Sequence, residues 1–406
     1  MSDPWGRLRA ALAALDSPRP WGLAVSGGGD STALLHAAAR TEGALRAATV
    51  DHGLRAEAAD EARAVGLSCR ALGIAHEVLC AGLSPGPRLQ SRARDARYRL
   101  LAEWARSHGL GTVLVAHTAD DVAETLLMRL ARGSGIDGLA RMRARWTVGD
   151  QRFDRPFLDL PRATLRDALR SDGIGWIDDP SNGDPAQERA RIRAAIAALD
   201  LPAEALARSA ARLAHARDSL SLRLAEIARD LVRQDGGDLM IGRDGLARLR
   251  SAEPEQARRL AVAALRWIGG APYPPRGADL ARLLDAISRG RPATLAGCLA
   301  LPDGSACRLT RERARAAGPV PFGQDWDGRW RVTAPQGADR EGLSVGALGA
   351  DVAATPWRGT GRPRAALCGT PAVRRGTDLV AAPLAGLGDG WQAEPRVPFH
   401  ESPLLR

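Results

Sequence analysis

The 406-residue sequence contains no lysine; all 57 of its basic residues are arginine. This absence excludes a Walker phosphate loop, whose lysine reaches the β- and γ-phosphates of a nucleotide. Cysteine is scarce and scattered. Cys69, Cys80, Cys298, Cys307 and Cys368 form no C-x-x-C pair, which argues against a zinc site, an iron–sulfur cluster or a redox couple. Long apolar runs are missing as well. The stretch Ala11 to Leu15 is too short for a signal-peptide core, and no run approaches the length of a membrane span. Together these gaps imply a cytoplasmic protein with no membrane partner. No internal repeat and no low-complexity tract is visible.

With 45% hydrophobic and 26% charged residues the composition is that of an ordinary globular protein, and the length favours two or three domains. The net charge of +10 suits a polyanionic partner, nucleic acid first, because guanidinium forks grip phosphate bidentately. Arginine in place of lysine is also what codon bias in a GC-rich genome produces. The sign of the charge is therefore better evidence than the choice of residue.

From residue 20 to about 120, short apolar runs alternate with amphipathic stretches. Leu23–Val25, Ala47–Val50, His76–Leu79 and Thr112–Ala116 read as strands, and Ser31–Arg40, Glu57–Leu72, Arg92–Ser107 and Asp120–Arg132 as helices. Such alternation predicts an α/β fold with a doubly wound parallel sheet, which binds ligands beyond the carboxyl ends of its strands. A loop-rich passage containing Arg155-Pro156-Phe157 follows, then a helix near Arg162–Ser171 and another from Pro185 to Leu199. Asp200-Leu201-Pro202 reads as a joint. Beyond it, Ala203–Arg233, Glu253–Ile268 and Ala278–Ser288 read as helices, residues 292–310 as a small β element, and 318–406 as Gly/Pro-punctuated short strands such as Trp330–Val332. The expected domains are 1–199, 200–317 (mainly helical) and 318–406 (a small α+β region).

Two segments carry candidate chemistry. Ser26, Gly27, Gly28, Gly29, Asp30 and Ser31 join the first strand to its helix. Three glycines let the backbone approach a ligand closely, and the free N–H groups of the helix's first turn point at whatever sits in the loop, so the turn is an anion site suited to phosphate. The plainer reading makes Asp30 and Ser31 simple helix caps. The second segment, His117-Thr118-Ala119-Asp120-Asp121-Val122-Ala123-Glu124-Thr125, opens the helix after the fourth strand. Asp120 and Glu124 are four apart and Asp121 and Glu124 three apart, so the carboxylates share one helical face. Such a cluster suits magnesium or a substrate ammonium group, while Thr118 and Asp121 also fit a capping box and His117 also fits a satisfied strand-end histidine.

The spacing Ser-Gly-Gly-x-Asp-Ser resembles the pyrophosphate loop of the N-type ATP pyrophosphatases. Further segments follow in order: Val50-Asp51-His52-Gly53-Leu54-Arg55, Ala93-Arg94-Asp95-Ala96-Arg97-Tyr98, Ala116–Thr125, Arg132-Gly133-Ser134-Gly135, Arg155-Pro156 and Asp179-Pro180-Ser181-Asn182. Through about residue 195 the series is similar to the tRNA(Ile)-lysidine synthetase family of the PP-loop superfamily. The resemblance implies an enzyme that uses ATP and Mg2+ to adenylate the wobble cytidine in the CAU anticodon of tRNA(Ile), and then joins free L-lysine to it. It implies that the loop residues bind ATP and that Asp30 helps hold the metal. Arg94, Arg97 and Asp121 join Asp30 as catalytic candidates, and His117, Asp120, Asp121 and Glu124 are candidates for substrate binding. A solvated arginine face over Tyr98 is the alternative for Arg94 and Arg97. Two departures from the family pattern are Arg88, where Asn is usual, and Ala190 within Arg189-Ala190-Arg191-Ile192-Arg193, whose arginines fit equally an approach to RNA phosphates and the solvated side of a helix. The helical and C-terminal regions are assigned to tRNA docking from layout and charge.

Three rival readings fit parts of the sequence. A tRNA thiolase shares the adenylation but needs cysteines or a cluster, and Cys69 and Cys80 read as small core residues. An amidotransferase-coupled small-molecule ligase would show a glutaminase nucleophile. A non-enzymatic RNA-binding protein would leave the loop and the acids without a purpose.

Overall fold

The computed structural model describes residues 3–53, 58–84, 86–87, 89–178 and 186–405. Leu54, Arg55, Glu57, Arg88, Pro185 and the segment Asp179 to Asn182, all used above, lie outside the described residues. Two compact units, residues 1–217 and 218–406, make up the chain.

The first unit opens with α1 (Pro4–Ala13) and continues β1 (Trp21–Ala24), α2 (Gly29–Ala39), β2 (Leu45–Asp51), α3 (Ala58–Ala71), β3 (Ala75–Cys80), α4 (Leu89–Ser107), β4 (Thr112–Val115) and α5 (Ala119–Leu130). It then runs through α6 (Ile136–Leu139), β5 (Arg145–Val148), β6 (Gln151–Asp154), α7 (Arg162–Ser171) and α8 (Glu188–Ala198) into α9 (Ala203–Leu231), which contains the boundary between the units. Six strands form one sheet in the order β3-β2-β1-β4-β6-β5, parallel except for the β5–β6 pair. β1 and β4 are buried along their whole length and read as continuous apolar runs, as strands covered on both faces do.

Side-chain alternation sorts the two layers. Trp21, Leu23, Val25 and Leu114 face the helices α1, α2, α3 and α7, whereas Ala24, Val113, Val115 and Phe153 face α4. Between them Gly22 is obligatory, because a Cβ there would lie 2.7 Å from the Trp104 ring. The loop-rich passage expected around residues 145–154 is instead a β-hairpin turned at Gly149-Asp150, with Phe153 buried against Tyr98 and Trp146.

In the second unit, β7 (Val232–Asp235), β8 (Asp238–Gly242), β9 (Ala293–Leu295), β10 (Cys298–Asp303) and β11 (Ala306–Arg311) form a five-stranded sheet. Its core packs against α10 (Arg243–Ala252), α11 (Pro254–Gly269) and α12 (Gly277–Ser288). The β element expected at 292–310 is thus part of a larger sheet completed by the β7–β8 hairpin. A smaller region follows, with β12 (Val320–Pro321), β13 (Trp330–Thr333), β14 (Leu343–Ala347), α13 (Arg364–Leu367), β15 (Pro371–Arg375), β16 (Asp378–Ala381) and β17 (Gln392–Pro395) around buried Trp326 and Trp330. Among the described residues no helix is long and apolar enough to cross a membrane.

Candidate active site

Strand order decides where a ligand can sit. The chain moves outward from β1 to β2 and β3, then returns to place β4 on the other side of β1, so the sheet's switch point lies between β1 and β4. Ala24 and Val115 are partners in register there. The loop into α2 and the loop into α5 therefore leave the sheet side by side, above a cleft of about 660 Å³. That volume is in the range of small-molecule sites.

The glycine-rich loop is braced by its own side chains. Ser31 Oγ accepts from the Ser26 amide at 3.1 Å and donates to the Gly28 carbonyl at 2.9 Å. The Gly27 carbonyl accepts from Thr32 Oγ1 at 3.1 Å and from the Ile177 amide at 3.0 Å. Gly27 has φ of +88°, and a Cβ on it would lie 2.6 Å from Ile177 Cδ1, so this glycine is demanded by the fold. Gly28 is different. Its backbone is extended and a Cβ would meet nothing closer than 3.8 Å, so nothing in the protein around it requires it to be bare. The first-turn amides of α2 have no carbonyl within the helix to bond.

Ser26, Gly28, Gly29, Asp30 and Ser31 line the cleft, together with His117 and Asp121 opposite and Arg97 of α4. Gly27 turns away from it. Arg94, one turn before Arg97, is exposed and does not line the cleft; its guanidinium lies 5.2 Å from the Tyr98 ring. Asp120 is half-buried, and Glu124 is 1% exposed behind the cleft wall. The structure thus brings the loop and the acidic helix together, with Arg97 beside them and Arg94 further out.

The residue that joins them is Arg162, which sequence reasoning placed only as a helix start. Its Nε donates to Asp30 Oδ2 at 3.1 Å, Nη2 to Asp121 Oδ1 at 3.2 Å and Nη1 to Glu124 Oε1 at 3.2 Å. Its backbone amide donates to Asp120 Oδ2 at 2.7 Å. Arg193 of α8 adds a bond from Nε to Glu124 Oε1 at 2.9 Å, and with Arg189 it lines the cleft. No local pattern marks Arg162 among 57 arginines; Pro161 before it signals a helix entry and nothing more.

Asp121 serves fold and site at once. Its Oδ2 accepts from the Thr118 amide at 2.9 Å and the Thr118 hydroxyl at 3.0 Å, the reciprocal cap of α5, while Oδ1 holds Arg162. Burial pushes its carboxyl up, but Arg162 and the Thr118 amide hold it below its ordinary value. Asp30 differs. Burial dominates there, Arg162 opposes it, nearby Asp121 adds to it, and the carboxyl is pushed up to about 6. Burial also lowers His117, aided by the cations Arg155, Arg97 and Arg94. Because Arg155 Nε donates to His117 Nδ1 at 2.9 Å, that imidazole is neutral with its proton on Nε2. Arg155 is itself clamped over the Trp146 ring at 3.6 Å.

Among the described residues, two buried oxygens here have no hydrogen-bond partner, Asp30 Oδ1 and Glu124 Oε2. Bare buried acceptors of this kind are costly and fit a cation supplied by a ligand. Magnesium fits at Asp30. Among the described residues no three His, Cys, Asp or Glu side chains converge on a metal position, so the ion would rest on Asp30 and on substrate phosphate oxygens, its usual manner of binding. None of the five cysteines lines the cleft, and Cys69 is a buried thiol pushed up to about 11.

Comparison with known proteins agrees with this geometry. A family model described as the PP-loop domain matches residues 6–199. A tRNA(Ile)-lysidine synthase from Ruegeria pomeroyi is 46% identical over 97% of this chain and 94% of its own length. One from Mesorhizobium japonicum is 37% identical over 94% of this chain and 86% of its own, and one from Methylobacterium nodulans is 42% identical over 73% and 91%. With the glycine loop, the acidic helix and the switch-point cleft all in place, the chain belongs to the tRNA(Ile)-lysidine synthase family, ATP-using ligases of the PP-loop class that act in tRNA modification.

Proposed function

We propose that the protein adenylates the carbonyl oxygen of the wobble cytidine in a CAU-anticodon tRNA(Ile), releasing pyrophosphate, and that an amine of free lysine then displaces AMP to form lysidine. The observation that carries this reading is the convergence of the Ser26–Ser31 loop with Asp121 of α5 on one cleft at the β1/β4 switch point, with Glu124 joined to both through Arg162. The loop amides and the α2 N-terminus bind the triphosphate and stabilise the leaving pyrophosphate through fixed dipoles. Magnesium, when bound beside Asp30, absorbs charge on the phosphates. Arg97, which also lines the cleft, orients the base and faces the charge that develops as its oxygen attacks, with Arg94 adding to the field.

Capture of lysine needs anionic acceptors, and the three carboxylates of α5 divide the work. Asp121 has both oxygens engaged and supplies fixed negative charge. Asp120 ties α5 to the entry of α7. Glu124 alone keeps a buried oxygen bare, and we assign it the ammonium contact and the acceptance of the proton lost on attack. Neutral His117 lies alongside as a hydrogen-bond donor. The arginines of α8 and the basic charge of the chain supply phosphate contacts for RNA.

The test incubates the protein with ATP, Mg2+, labelled lysine and a CAU-anticodon tRNA. Label entering the RNA only when both ATP and that tRNA are present is the expected result. Absence of ATP consumption, or incorporation independent of either, overturns the reading.

A further inference from the structure

We propose that Arg162 is a positioning residue that sets the ATP loop and the lysine-side acids in register, so that both half-reactions depend on one guanidinium. The inference rests on the function proposed above and extends it to a residue outside the motifs that carried that reading.

One planar fork reaches three carboxylates from two different walls of the cleft: Asp30 on α2, and Asp121 and Glu124 on α5. Asp30 lies 91 residues before Asp121 in sequence, and no hydrogen bond between the carboxylates themselves relates them; like charges would drive them apart. Arg162 is itself fixed from behind. Its amide donates to Asp120, and the Ala119 amide donates to the Leu160 carbonyl at 2.9 Å, so the entries of α5 and α7 are stitched together on both sides of Pro161. The side chain is 14% exposed, leaving it little freedom to leave the cluster.

The fork also selects which oxygens remain. It occupies Asp30 Oδ2, Asp121 Oδ1 and Glu124 Oε1, and the bare acceptors are the second oxygens of Asp30 and Glu124. Those are the oxygens assigned to the metal side and the ammonium side of the reaction. A guanidinium presents several donors in fixed directions, whereas an ammonium is a point charge on a flexible stem. Arg162→Lys therefore keeps the charge and loses the simultaneous three-way contact.

The experiment compares the wild type with Arg162→Lys and Glu124→Gln in the full-length protein. It measures pyrophosphate released on adenylation of tRNA without lysine, binding of labelled lysine by equilibrium dialysis, and the thermal midpoint. The expected result for Arg162→Lys is a slowing of adenylation by about tenfold or more and a weakening of lysine binding by a similar factor, with the midpoint within about 3 °C of wild type. Glu124→Gln should weaken lysine binding by about tenfold or more. Wild-type values for Arg162→Lys in either half-reaction overturn the coupling role. A midpoint drop with both halves scaled to the folded fraction overturns it too, in favour of a purely structural bond. If the wild type itself neither adenylates nor binds lysine, the proposed function falls first, and this is visible before any variant is compared.

Discussion

Each unit of this protein contains an arginine ringed by carboxylates, and the two rings differ in what they leave undone. Arg308 in the second unit donates from Nη1 to Asp235 at 2.7 Å and Asp238 at 3.0 Å, and from Nε to Asp303 at 3.0 Å. Arg362 takes the other oxygen of Asp235. No buried side-chain nitrogen or oxygen of Asp235, Asp238 or Arg308 lacks a partner. In the first unit Arg162 touches three carboxylates as well, yet Asp30 and Glu124 each keep one buried oxygen bare. One carboxylate of each ring shows the contrast, while a neighbour in each runs the other way, Asp238 raised by burial and Asp121 held down by Arg162. Burial raises Asp235, but its hydrogen bonds to Arg362 and Arg308 outweigh burial and hold it down at about 2, whereas burial wins at Asp30 and pushes it up to about 6. The same pair of residue types serves the fold where each buried carboxylate oxygen has a partner, and suits a ligand where buried oxygens are left bare.

Breaking each ring should give opposite phenotypes. Asp30→Asn removes the charge that the metal side needs, and pyrophosphate release should fall to background. Because it also removes a desolvated carboxylate, the melting midpoint should stay within about 3 °C of wild type. Arg308→Met should do the reverse. Stripping the cation from three carboxylates, two of them nearly buried, should destabilise the second unit by about 3–5 kcal/mol in urea titrations. Adenylation measured per folded molecule should be retained. Loss of activity with full stability in Arg308→Met would erase the distinction between the two rings.

A smaller contrast exists inside the glycine loop. Gly27→Ala puts a Cβ into Ile177 at a left-handed φ and should cost about 1–2 kcal/mol of stability. Gly28→Ala has room in the protein and should melt like the wild type, yet raise the KM for ATP because the methyl group intrudes where phosphate approaches. Equal stability losses in the two variants would show that both glycines serve the fold alone.

The difference between the rings also marks what was legible in the sequence. The loop, its strand and its helix were readable because an apolar run, three glycines and an amphipathic stretch are local signals; β1 begins two residues earlier than Leu23 and α2 two residues before Ser31. The dual use of Asp121 was half visible, since the capping-box spacing to Thr118 is local while its bond to Arg162 is not. The β5–β6 hairpin was hidden because each strand is four residues long, too short to show a period. Arg162 was hidden for a deeper reason. Its partners lie 132, 41 and 38 residues away, and in a chain whose every basic residue is arginine, identity carries no signal. The sheet's switch point is what brings those partners together, and strand order is a property of the folded chain.

The finest test of the comparison is the acid limb of stability. The carboxyl of Asp235 titrates at about 2 in the folded protein, below its ordinary 3.8. A depressed folded-state value means the unfolded chain binds the proton first as pH falls, so the contribution is whole above pH 3.8 and is lost progressively toward pH 2. The urea midpoint of the second unit should therefore decline across that window, and Asp235→Asn should flatten the decline while lowering the plateau above it. Asp238 works against a larger effect, since burial raises it and Arg308 only partly offsets that. If Asp235→Asn left the slope of the acid limb unchanged, the bonds from Arg308 and Arg362 would not be stabilising its ionised form, and full hydrogen-bond satisfaction would no longer separate the structural ring from the reactive one.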